Sequence, residues 1–152
     1  MIVYRIDREK RRKELLSGIG AEKVGGRWNK PGTRAVYTAQ NISLAYLEVV
    51  MHIDISEDLP SDRILIHIKI PDEIVIQEEK RLPKNWDCFP YNSQTQEIFT
   101  RFAQDKKATV LKVPSAIVAS EYNYIVNPLH EDANKIQVIK IERFTFDGRL
   151  KG

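Results

Sequence analysis

Four side chains in this sequence have the type and setting to do chemistry: an arginine between glycines, a carboxylate beside an apolar helical stripe, a strand tyrosine and a serine behind a proline. The arginine is Arg27, in GGRWNKPG at residues 25–32. A guanidinium offers five donors in a planar fork suited to phosphate or carboxylate, and flanking glycines let a ligand approach the backbone. The segment is neither a Walker A loop nor GxGxxG, so no standard phosphate motif is present. The competing reading is a loop arginine paired with a nearby carboxylate. Glu48 lies in LAYLEVVM, where helical spacing aligns Leu44, Leu47 and Met51 and sets Glu48 at the stripe's edge. A carboxylate there reaches solvent, is paired, or serves a ligand by facing positive charge or holding a sugar hydroxyl. Tyr37 offers a flat face to an aromatic ring, or a place in the core. Ser115 follows Pro114 at a strand end, with no Ser-His-Asp order readable around it. His52, His67 and His130 are scattered without HExxH spacing, so no metal site is expected.

The bulk of the chain is that of one globular domain over residues 1–152. Its 42% hydrophobic and 30% charged residues suffice for a core, and no apolar run approaches the roughly 20 residues of a membrane span. The start, MIVYRIDREK, lacks a signal-peptide layout. Cys88 is the single cysteine, which excludes an internal disulfide and fits a reducing, cytoplasmic setting. A net charge of +3 is too small to argue for direct nucleic-acid binding. The charge is uneven, however: residues 1–34 hold ten Lys/Arg against four Asp/Glu, including the run REKRRK from Arg8 to Lys13. That run reads as a solvated helix face or as a docking patch for an acidic partner.

The elements that must position these residues follow from periodicity. Strands are expected at 2–6, 35–38, 64–70, 74–76, 109–113 and 136–146. Helices are expected at 9–16, stopped by Gly18; at 43–52, with Asn41 or Ser43 as N-cap; and at 94–105. Gly18, Gly20, Gly25 and Gly26 predict a loop, and residues 81–92 another. Intermixed strands and helices without a steady βαβ rhythm indicate an α+β fold.

In order along the chain, GGRWN, Tyr37, SLAYLE, LKVPSA and the Asn127, Pro128, His130 cluster resemble the RES family. The likeness runs from YRI at 4–6 through LPKNWD to NPLH, nearly the whole chain. Members are toxins of bacterial toxin–antitoxin pairs, named for an arginine, a glutamate and a serine, here Arg27, Glu48 and Ser115. The sequence departs from the family around Gln96-Glu97-Ile98, where members often carry Gly-Asp and a tryptophan.

The resemblance implies an ADP-ribosyltransferase-like mixed sheet with helices around an NAD cleft. It implies cleavage of the nicotinamide–ribose bond of NAD+ by water or phosphate, or ADP-ribosyl transfer to a protein target. Arg27, Glu48 and Tyr37 would be catalytic, and Arg27, Tyr37, Ser115 and Asn127 would contact NAD+. It further implies a helix-turn-helix (Xre-type) antitoxin covering the active site, and self-association as in relatives. Two other classes stay open at this point. One is a metal-independent ribonuclease with Glu48 as base and His52 or His130 as acid. The other is a binding module that has lost activity.

Overall fold

The computed structural model describes residues 1–54, 56 and 58–151. Strands β1 (Ile2–Arg8), β2 (Val36–Ala39), β3 (Arg63–Lys69), β4 (Ile76–Glu78), β5 (Val110–Pro114), β6 (Tyr122–Val126) and β7 (Gln137–Phe144) form one mixed sheet. Their order is β4-β5-β6-β2-β1-β3-β7. Only β4 and β5 run parallel; every other neighbouring pair is antiparallel. Among the described residues three α-helices accompany them: α1 (Ile19–Val24), α2 (Ile42–Val50) and α3 (Ser93–Asp105). The fold class is α+β, as the mixed pattern predicts.

Register divides the side chains between two faces. Tyr37 pairs with Ile125 and Ile125 with Leu111, whereas Val36 pairs with Val126 and Val126 with Val110. Because strand side chains alternate, one face carries Tyr37, Ala39, Leu111, Val113, Asn123 and Ile125. Both long helices cover this face. Ile98, Phe99 and Phe102 of α3 pack on Leu111, Val113 and Ile125; Leu44 and Ala45 of α2 pack on Ile6, Ala39 and Leu65. Full burial of an aromatic such as Phe99 contributes about 2–3 kcal/mol. The other face, with Val3, Val36, Ile64, Ile66, Ile68, Val110 and Val126, is closed by Leu15, Ile70, Ile74 and Ile136. The isoleucine alternation at 64–70 thus points to one core, and Leu65 on the reverse face is buried by α2.

Several expectations need correction. Residues 9–16 do not form an α-helix: Glu9–Glu14 is a 3-10 segment with no side-chain cap and no buried residue. Consecutive like charges give it no apolar face to bury, and Arg12 pairs with Glu9 while Arg5 and Arg11 face Asp7. The glycine-rich loop contains α1, because Gly18 and Gly25 stand at its two ends with φ of 73° and 72°. Glycine alone adopts that backbone at little cost, so the pair brackets the helix formers Ala21, Glu22 and Lys23. The strand expected at 74–76 lies two residues later, and Ile74 is buried instead in the turn from Pro71. Strand β6 was not expected at all.

Helix α2 starts where Asn41 caps it, the Asn41 side chain accepting Leu44 N–H at 2.7 Å. The same amide donates to Glu121 Oε2 at 2.8 Å and so ties the helix start to the approach of β6. Asn41→Ala should lower unfolding stability by about 1–2 kcal/mol with an unchanged m-value in urea denaturation. Among the described residues no helix is long and apolar enough to cross a membrane.

Candidate active site

The face shared by α2 and α3 brings most of the chemically capable residues together. Glu48 lies on α2 one turn beyond Leu44, whose side chain is fully buried. The buried stripe differs from the expected one: Leu44 and Ala45 face the sheet, whereas Leu47 is 40% exposed and Met51 65%. Glu48, half-buried, therefore reaches over the sheet face. Its Oε1 accepts from Ser115 Oγ at 3.2 Å and from Asn123 Nδ2 at 2.7 Å.

Ser115 is held as firmly as its partner. It is 1% exposed, directly after β5, and its Oγ accepts Ile117 N–H at 3.0 Å and Val118 N–H at 3.1 Å. With two amides aimed at its lone pairs, the hydroxyl proton points to Glu48. In this geometry Ser115 serves the carboxylate.

Arg27 belongs to the loop between α1 and β2, and that loop is anchored from three sides. Tyr37 Oη donates to Asn29 Oδ1 at 2.6 Å and accepts Trp28 N–H at 3.1 Å. Burial pushes the Tyr37 phenol well above its ordinary range, so the hydroxyl stays protonated and remains the donor. Asn29, fully buried, donates to the carbonyls of Ala21 and Thr33. From α3, Thr95 Oγ1 donates to Arg27 O at 2.6 Å and Gln96 Nε2 to Gly26 O at 2.9 Å. Lys30 and Glu97 form an ion pair across the same seam. Gln96 and Glu97, where the sequence departs from the family pattern, thus hold the arginine loop. A Cβ on Gly26 would come within 2.8 Å of Tyr37 Oη, which is why a glycine precedes the arginine.

The guanidinium itself meets no carboxylate among the described residues. Its Nη1 donates to Trp86 O at 2.9 Å and Cys88 O at 2.8 Å, and its Cζ lies 4.9 Å from the Tyr91 ring centroid. The Nε–Nη2 edge makes no hydrogen bond among the described residues and is the edge with bidentate geometry for an oxyanion. Tyr37 and Asn123 are diagonal neighbours on β2 and β6, a separation of roughly 7–8 Å. Tyr37 thus shares a sheet face with the asparagine that holds the carboxylate.

Tyr37→Phe tests this scaffold. Loss of the hydroxyl leaves Trp28 N–H and Asn29 Oδ1 unsatisfied and should cost about 1–3 kcal/mol of stability in denaturant titration.

Two expected residues lie elsewhere. Asn127 stands past the opposite end of β6, where its Oδ1 accepts Leu129 N–H at 3.1 Å and shapes the NPLH turn. The asparagine at the carboxylate is Asn123. Its signal was present in YNYIV: within a run of strand formers, Asn123 shares parity with Ile125. His130 is also engaged. Its Nδ1 accepts Asp132 N–H at 3.0 Å and meets Thr109 Oγ1, and its Nε2 faces Lys106 O at 2.9 Å. That pattern makes it a neutral Nε2–H tautomer closing a turn, and His52 is exposed beyond α2. Neither histidine is hydrogen-bonded to Glu48.

The RES domain family model matches residues 2–147. The chain is 39% identical to the Prs ADP-ribosylating toxin of a Sphingobium species, over 89% of this chain and 86% of that one. It is 40% identical to Toxin Res of Photorhabdus laumondii, over 99% and 97% of the two chains. In three dimensions it resembles the crystal structure of the M. tuberculosis MbcT–MbcA toxin–antitoxin complex. The TM-score is 0.73 at 19% identity, covering 95% of this chain and 84% of that one, which is a likeness of fold.

Proposed function

This chain belongs to the RES domain family, and on that premise we propose that it is the toxin of a toxin–antitoxin pair, acting on NAD+ by breaking the nicotinamide–ribose bond. The observation that carries the reading is the Glu48 carboxylate, held through Oε1 on the same sheet face as Tyr37 and the Arg27 loop. The name of the 39% identical relative, an ADP-ribosylating toxin, points to the same substrate.

In this reading the Nε–Nη2 edge of Arg27 takes the diphosphate. The ring of Tyr37 offers its face to the nicotinamide. As the C1′–N1 bond breaks, its electron pair goes to the pyridinium nitrogen, neutralising it, and oxocarbenium character builds on the ribose. Glu48 faces that charge and holds a ribose hydroxyl, which stabilises the transition state more than the ground state. An acceptor oxygen then bonds to C1′. With water it loses a proton and yields ADP-ribose; with phosphate it yields the ADP-ribosyl phosphate; with a protein side chain the product is a modified target. The partner is an antitoxin of helix-turn-helix type that covers the cleft, and the protein acts as a single RES domain in the cytoplasm.

The test is incubation of purified protein with NAD+, with and without phosphate, following nicotinamide and the ADP-ribose product by chromatography. Release of nicotinamide supports the reading, and the second product names the acceptor. Intact NAD+ with folded protein, and no label transferred from NAD+ to protein of a cell extract, would end it.

A further inference from the structure

We propose that Asn123 is a positioning residue for Glu48, fixing which carboxylate oxygen meets the substrate; the inference rests on the NAD-cleaving reading above.

Both hydrogen bonds to Glu48 fall on one oxygen. Asn123 Nδ2 at 2.7 Å and Ser115 Oγ at 3.2 Å converge on Oε1, while Oε2 has no hydrogen-bond partner among the described residues. A carboxylate bound by one donor can swing about the axis of that bond; two donors from different directions fix its plane. The donors come from separate elements. Ser115 follows β5, and Asn123 lies on β6, an interior strand paired with β5 on one side and β2 on the other. Helix α2 is tied to the β6 chain at two points, Asn41 to Glu121 and Glu48 to Asn123. The helix therefore cannot roll over the sheet without breaking one of them.

The orientation of the Asn123 amide carries the same message. Its Oδ1 is buried without a partner among the described residues, a state that protein interiors rarely keep. Turning the amide over would aim that oxygen at the Glu48 carboxylate, oxygen against oxygen. The bond to Glu48 thus decides the orientation and leaves the orphaned acceptor as its consequence. An amide suits the place, because it donates at every pH and brings no second charge beside the carboxylate.

The test uses Asn123→Leu, which keeps the volume and removes the donor, with Asn123→Ala as the alternative if leucine prevents folding. Crystal structures of wild type and variant are compared first. The expected result is rotation of the Glu48 carboxylate about its remaining bond to Ser115. An unmoved carboxylate overturns the proposal, whatever the protein does to NAD+. On NAD+, kcat should fall roughly 10- to 100-fold, the range for a hydrogen bond to a charged group, with KM within about twofold. In a Glu48→Ala background the same substitution should change the residual rate by less than about twofold, because its effect passes through the carboxylate. A further multiplicative loss there, or a loss confined to KM, overturns the proposal. If wild type leaves NAD+ intact, the functional reading falls by itself, and carboxylate orientation alone decides the role of Asn123.

Discussion

Glu48→Gln is expected to slow nicotinamide release from NAD+ by about 10²- to 10³-fold, or about 3–4 kcal/mol of barrier, while leaving the fold and the KM for NAD+ nearly unchanged. Glutamine has the shape of glutamate, and its carbonyl oxygen can take the place of Oε1 as acceptor for Ser115 and Asn123. The hold on α2 is therefore preserved. What disappears is the negative charge that, in the proposed function, faces the ribose. That charge matters most when the sugar becomes cationic, so the loss belongs in kcat and not in binding. The measurement is steady-state NAD+ cleavage beside a thermal melt of both proteins. A variant within about threefold of wild type, equally folded, would remove Glu48 from the chemistry.

Arg27→Ala should lower kcat/KM by a similar 3–4 kcal/mol, with a different signature. In the proposed function Arg27 holds the diphosphate of NAD+ in ground and transition states alike, so much of the loss should appear as a raised KM. Arg27→Lys should recover less than about a tenth of the wild-type kcat/KM, because an ammonium keeps the charge but not the planar fork. Stability should change little. The half-exposed guanidinium is joined to the 86–91 segment only through two carbonyls and the Tyr91 ring, and the loop beneath it is fastened independently by Tyr37, Asn29, Thr95 and Gln96. Equal kcat/KM for Arg27→Lys and wild type would show that only charge is read at this position.

The sequence alone carried whatever depends on near neighbours. The isoleucine alternation of β3, the asparagine at the start of α2 and the mixed order of elements are local signals, and the mixed order led to the α+β fold class. The order of GGRWN, SLAYLE and LKVPSA carried the family, and with it the candidates Arg27, Glu48 and Ser115. Even local reading failed where charge or glycine content hid the outcome: REKRRK folds as a 3-10 segment, and α1 lies between two glycines that resembled a loop. Tertiary structure decided what those residues touch. Glu48 meets Ser115 67 residues away and Asn123 75 residues away, contacts set by the strand order β5-β6-β2 and its register. Residue periodicity reveals which face a side chain occupies, not which strand lies beside its own. With β6 unassigned, nothing in the sequence set Asn123 beside Glu48; the strand pairing does.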